Sequence, residues 1–249
     1  MLLSDGSKDA ASPAAAAPRP WGYVATFAWL LLAAVLATAA SAAVLAFTSA
    51  GRLEDAADLM GDGPLVSELT VVSTVIEIGI LALAARFAGW RASDYLALVI
   101  PKHRAALTPV VSMAVFVLGY DALTSLLSHD VVSPFQLDTY RSARAAGLLP
   151  MLWLAFVIVA PLGEEIVFRG FLYRGWARSP RSVAPAIAVI SALWAMMHVQ
   201  YDWFGILQIF LLGLLLGWAR WRSGSTLLAV GLHGLANVWA MIETAVTIG

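Results

Sequence analysis

Seven apolar stretches, each near the ~20 residues that a helix needs to cross the hydrocarbon core of a bilayer, leave this chain little choice of architecture. They fall at about 21–48, 65–88, 105–127, 147–172, 182–200, 203–220 and 225–247. Hydrocarbon offers the backbone no hydrogen-bond partner, so stretches of this kind must satisfy their own amides as helices. The expected fold is all-α, a polytopic transmembrane helix bundle of about seven spans. Composition agrees, since 61% of the 249 residues are hydrophobic and 12% are charged, against about 25% charged in a soluble domain.

Residues 1–20 are rich in Ala, Ser and Pro with mixed charges and read as a short disordered cytoplasmic tail. Residues 21–249 read as a single transmembrane domain, with its polar motifs in a compact core at about 147–247. The first apolar stretch exceeds the about 7–15 residues of a signal-peptide core, so it is expected to stay as a span. The chain has no cysteine, which excludes disulfides, thiolate metal sites and cysteine nucleophiles. Its net charge of −1 supplies no basic stripe for phosphates, and no nucleic-acid partner is expected.

Orientation follows from the Lys/Arg asymmetry of the connections. Twelve of the 15 basic residues fall on one face: Lys8, Arg19, Arg86, Arg91, Lys102, Arg104, Arg169, Arg174, Arg178, Arg181, Arg220 and Arg222. The other face holds Arg52, Arg141 and Arg144 beside Glu54, Asp55, Asp58, Asp62, Asp130, Asp138 and Asp202. The basic face, with the N-terminus, is expected to be cytoplasmic. The Ala-rich, cysteine-free composition points to a bacterial inner membrane.

Against this apolar background the polar residues stand out. Glu164 and Glu165 are adjacent within the fourth stretch, in Pro161-Leu-Gly-Glu-Glu-Ile-Val-Phe-Arg169. Each carboxylate costs roughly 2.5–3.5 kcal/mol to insert at membrane depth. Residues four apart share a helix face, so Glu165 can pair with Arg169 and leave Glu164 pointing elsewhere. Pro161 removes a backbone donor and would free the carbonyl of Val157, predicting a kink just before the glutamates. His198 follows Trp194 by four residues, and Asn237 follows His233 by four.

Such a set supports water activation. A glutamate in an apolar site can act as general base near neutral pH, and His and Asn side chains can donate to a developing oxyanion. Alternatively, Glu164, His198 and His233 could hold zinc as a carboxylate and two nitrogens. The structural reading of each piece alone is ordinary: a Glu–Arg pair as glue, a lone histidine as an interhelical hydrogen bond. Glu68, Glu77 and Asp121 are further intramembrane carboxylates that could line a cavity. Gly213 and Gly217 form a small-xxx-small face suited to close helix packing.

The ordered triplet Glu164-Glu165…Arg169, Trp194…His198 and His233…Asn237 resembles that of the CPBP family, the CAAX-processing and bacteriocin-processing type intramembrane endopeptidases. The resemblance covers about residues 147–240; it departs at Trp194, where the family more often has Phe, a position read as an aromatic packer. It implies a cavity open to the cytoplasm, with Glu164 activating water and His198 as its partner. His233 and Asn237 would stabilise the oxyanion, and Arg169 would anchor Glu165. The catalytic set is thus expected to be Glu164, Glu165, His198, His233 and Asn237, supported by Arg169 and Trp194. No cofactor is favoured, though zinc remains open, and the expected substrate is a membrane-associated protein or peptide. Competing readings are a proton-coupled transporter, because intramembrane Glu and His also relay protons, and a non-catalytic immunity or scaffold protein.

Overall fold

The computed structural model describes residues 18–48 and 56–249. Most of the expected tail, with Lys8, lies outside the described residues, as do Arg52, Glu54 and Asp55. The described chain is helical throughout, in the order α1 Tyr23–Thr48, α2 Ala56–Gly61, α3 Gly63–Phe87, α4 Ala92–Tyr95 and α5 His103–Leu126, then α6 Pro134–Ala145, α7 Leu149–Trp176, α8 Pro180–Met196, α9 Trp203–Ser223 and α10 Thr226–Ile248. The boundaries are written in the sequence. Asp62 caps α3 by accepting from the Leu65 amide at 3.1 Å, Asp202 caps α9 from Gly205 at 2.8 Å, and Ser225 caps α10 from Leu228 at 3.0 Å. Such caps satisfy amides that a helix start leaves unpaired. Gly224, at φ 70°, ends α9 in the left-handed conformation that glycine adopts without strain.

Six helices, α1, α3, α5, α7, α9 and α10, are long and apolar enough to cross a membrane. The stretch expected to span at 182–200 is α8, and with 17 residues it reaches only about 26 Å at 1.5 Å per residue. It gives way to turns at His198–Tyr201, because His198, Gln200, Tyr201 and Asp202 replace the apolar residues a full span would need. This short helix resolves a difficulty of depth: His198 need not lie at the far surface but stands inside the bundle, where α8 stops.

The helices alternate in direction, so the connections sort to two ends. One end gathers Trp21, α4, Arg174 and the start of α10: Trp21 donates to the Ala84 carbonyl, Arg174 to that of Asp94, and Thr226 to that of Leu96. This is the basic end. The other, acidic end gathers α2, α6, the turn before α9 and the C-terminus, where Phe135 meets Tyr201, His129 stacks on Phe204 and Arg144 donates to Gly249. The main core lies between α3, α7, α8, α9 and α10, around Leu81, Phe171, Trp194, Leu216 and Leu232, all fully buried. Gly213 and Gly217 do serve close packing. A β-carbon at Gly217 would lie 2.6 Å from Ile187, and one at Gly213 would lie 2.8 Å from Ser191.

Candidate active site

Helix α7 carries both glutamates and is irregular around them. Residues Ala155–Val159 and Ile166–Leu172 form π-helical turns on either side of Ala160–Glu165. Such bulges are rare and gather at functional sites. The expected kink before the glutamates is therefore a π-turn, and the freed carbonyl differs from the one an α-helical register predicts. In the wider register Ala160 donates to Ala155, so the bond that Pro161 cannot make belongs to Phe156. Asn237 supplies it, its Nδ2 donating to the Phe156 carbonyl at 2.7 Å. The neighbouring Val157 carbonyl faces Gly234, where a β-carbon would come within 2.8 Å of it.

The two glutamates are separated in role. Glu165 is fully buried, and its Oε1 accepts from Arg169 at 2.8 Å and from His233 Nδ1 at 3.0 Å. Arg169 also donates to the Gly213 carbonyl at 3.1 Å, and Arg220 donates to the Arg169 carbonyl and to Thr226. The network ties α7 to α9 and α10 below the site. Glu164 points the other way, into a cavity of about 280 Å³ whose walls include His198, Tyr201, His233 and Asn237. A second cavity, of about 480 Å³ and mainly apolar, meets Glu164 from the side of α1 and contains Glu77.

Trp194 does more than the packing expected of it. Its indole Nε1 donates to Glu164 Oε2 at 2.6 Å, while its ring lies under the Arg169 guanidinium at 4.5 Å. Both histidines meet that ring edge-on, His198 at 5.1 Å and His233 at 5.2 Å. The signal was in the sequence: of Phe and Trp, only Trp carries an N–H. Tyr201 was missed altogether as a site residue. Burial, and after it the charge of Glu164, push its phenol up to about 12, so it stays protonated and remains a donor.

The histidine tautomers follow from their partners. His198 Nδ1 lies 2.8 Å from the Trp194 carbonyl, which only accepts, so Nδ1 carries the proton and the neutral ring leaves Nε2 as a base. The same argument places the His233 proton on Nδ1, facing Glu165. Glu164, His198 and His233 do not gather as a zinc trio: among the described residues no group of three or more His, Asp or Glu side chains is placed to hold a metal ion. Asp121 lines the first cavity and accepts from Trp239 at 2.7 Å. Glu68 lines neither cavity.

Residues 146–239 match the model of the Rce1-like family, described as type II CAAX prenyl endopeptidases. This is the protease family that the three motifs resemble, and the matched segment contains the glutamates, both histidines and Asn237. An Escherichia coli protein described as an uncharacterized 24.3 kDa protein is 34% identical over 91 residues, which cover 36% of this chain. The chain spans 42% of that relative's length. No solved structure matches.

Proposed function

Taking residues 146–239 as a segment of the Rce1-like protease family, we propose that the chain is an intramembrane endopeptidase that cleaves a membrane-associated protein or peptide with water activated by Glu164. The observation that carries this reading is the division of the glutamates. Glu165 is spent on Arg169 and His233, whereas Glu164 lines the cavity with one oxygen held by Trp194. A carboxylate fixed through Oε2 keeps Oε1 for a water. Glu164 then takes a proton from that water as its oxygen attacks the scissile carbonyl carbon. The same proton passes to the departing amine when the C–N bond breaks. His198, with Nε2 as a base, assists the transfer.

The oxyanion needs donors, whose removal in other hydrolases costs about 10²–10³ in rate. Asn237 spends one Nδ2 hydrogen on Phe156 and keeps the other, and Tyr201 is a second donor-bearing residue in the wall of the same cavity. No step is routed through a metal ion, because among the described residues no three His, Asp or Glu side chains gather to hold one. The site lies in a multi-pass membrane protein, and we assign the basic end to the cytoplasm by its excess of Lys and Arg.

Glu164→Gln tests the assignment. It keeps an acceptor for Trp194 but cannot take a proton. In purified protein incubated with membrane-anchored peptides, cleavage is expected to fall at least about 10²-fold with melting unchanged, and a chelator is expected to leave the wild type active. Cleavage by Glu164→Gln at the wild-type rate would remove Glu164 from the mechanism.

A further inference from the structure

Glu77 is an intramembrane carboxylate that the mechanism leaves without a task. It stands near the middle of α3, outside the matched family segment, and lines the second cavity together with Glu164. The two cavities share Glu164, Trp194 and His198 as walls, so Glu77 lies beside the reacting centre and not in a separate void. Among the described residues no hydrogen bond or ion pair holds its carboxylate. The charge that acts on it is that of Glu164, which has the same sign. A carboxylate at membrane depth is costly to leave in this state, and such residues pair with a partner or mark a substrate path.

The surroundings of Glu77 define the chemistry of that partner. Thr70, Ser73, Thr74 and Glu77 recur at spacings of three and four, which places them on one face of α3, and all four line the cavity. Thr70 Oγ1 donates to the Val66 carbonyl at 2.7 Å and Ser73 Oγ to the Thr70 carbonyl at 3.2 Å. With their protons spent on the helix, these hydroxyls keep only lone pairs for the cavity, beside a carboxylate that only accepts. The other walls are mainly apolar, with Phe27, Leu30 and Leu31 on α1 and Val167 and Phe168 on α7. No Lys or Arg lines either cavity, and Arg169 is already paired with Glu165. His198, which lines both, is the neutral base of the proposed mechanism. An apolar chamber with one acceptor stripe fits a side chain that has an apolar stem and a cationic donor head, which is Lys or Arg.

The packing of α3 on α7 places this side chain along the substrate. Gly163, next to Glu164, lies against Thr74, and Glu77 follows Thr74 by three residues, about 4.5 Å along the helix. An extended peptide advances about 3.3 Å per residue. A side chain that reaches Glu77 therefore belongs to a residue within about three positions of the bond held at Glu164. We propose that Glu77 is a specificity-determining residue, pairing with a Lys or Arg side chain of the polypeptide substrate within about three residues of the scissile bond. The proposal rests on the reading of Glu164 as the base. It narrows the substrate from any membrane-associated polypeptide to one that carries a basic residue among apolar ones.

The test varies the peptide as well as the protein. In an apolar, membrane-anchored host peptide, Lys, acetyl-lysine or Leu is placed at each position in turn. With the purified full-length protein, kcat/KM for each Lys peptide is divided by that for its Leu twin. At one position near the cut the wild type is expected to favour Lys by about tenfold or more. Acetyl-lysine, of similar length but uncharged, should fall to the level of Leu, and Glu77→Gln should bring the Lys ratio near one. A wild-type ratio near one at every position, equal use of Lys and acetyl-lysine, or a Lys preference that survives Glu77→Gln would each overturn the proposal. A binding arm needs no turnover: the same ratio is taken from Kd values in Glu164→Gln, with and without Glu77→Gln. A Glu77-dependent Lys preference in binding, with no peptide cleaved by the wild type, overturns only the protease reading. Binding without that preference, or no binding of any peptide, overturns the role of Glu77.

Discussion

At the scale of single residues, the decisive contact is one N–H on one carboxylate. Hydrogen bonds to charged groups contribute about 1.5–3 kcal/mol, and Trp194 spends its indole donor on Glu164. Trp194→Phe keeps an aromatic ring for Arg169 and the two histidines but loses that donor. With Glu164 no longer fixed, kcat is expected to fall about 10- to 100-fold, at 1.36 kcal/mol per factor of ten. KM and the melting temperature should stay near wild type, whereas a packing role alone would lower the melting temperature and spare kcat. Tyr201 makes a separate prediction about pH. Its phenol is raised from 10.0 to about 12 by burial and then by the Glu164 charge, so the neutral donor persists below that value. Any loss of activity between about pH 9 and 11 therefore belongs to another group. Tyr201→Phe should lower the rate throughout that range without moving the alkaline limb; a limb displaced by the substitution would show that the phenol titrates there.

At the scale of elements, α7 holds its π-turns because its neighbours satisfy what the wider register leaves open. Asn237 takes up the Phe156 carbonyl, Gly234 lets α10 approach Val157, and Arg169 clamps α7 to α9 through Gly213. The Glu165–Arg169 pair is the test of this arrangement, since removing one partner of a buried ion pair costs about 3–5 kcal/mol by stranding the other charge. Arg169→Met is expected to lower the melting temperature in detergent sharply. The double variant Glu165→Gln/Arg169→Met, with no stranded charge, should recover much of the loss. If the double variant melts below the single one, the two side chains do not act as a pair. This pairing was legible in the sequence from i,i+4 spacing alone, and so was the divergence of Glu164. The π-turns were not: a proline marks a missing donor, but which carbonyl is freed depends on a register that only packing against α10 selects. For the same reason the spacing of His233 and Asn237 predicted a shared face, whereas the partners Glu165 and Phe156 lie on another helix. His233 was expected at the oxyanion, yet its Nδ1 proton is committed to Glu165.

At the scale of the whole molecule, hydropathy gave the architecture and misjudged one helix, because α8 is apolar like its neighbours and its shortness comes from the polar turn that follows. The site, moreover, extends beyond the matched family segment. Residues 146–239 carry the expected catalytic set, but its setting depends on the N-terminal half of the chain. Gly163, next to Glu164, packs so close to Thr74 of α3 that a β-carbon there would lie 2.6 Å from the threonine oxygen. The α4 connection accepts from Arg174 and Thr226, and Thr70 and Glu77 of α3 line the second cavity beside Glu164. A fragment of residues 146–249 would expose these buried polar groups to lipid, where each unsatisfied group costs several kcal/mol. Expressed alone, it is expected to aggregate in detergent and show no cleavage. Co-expression with residues 1–145 should restore a complex that co-purifies, melts cooperatively and cleaves, because the missing carbonyls and the α3 face are supplied in trans. A fragment that is monodisperse and active by itself would show that the N-terminal half only surrounds a self-sufficient site, and would remove α3 and α4 from its construction.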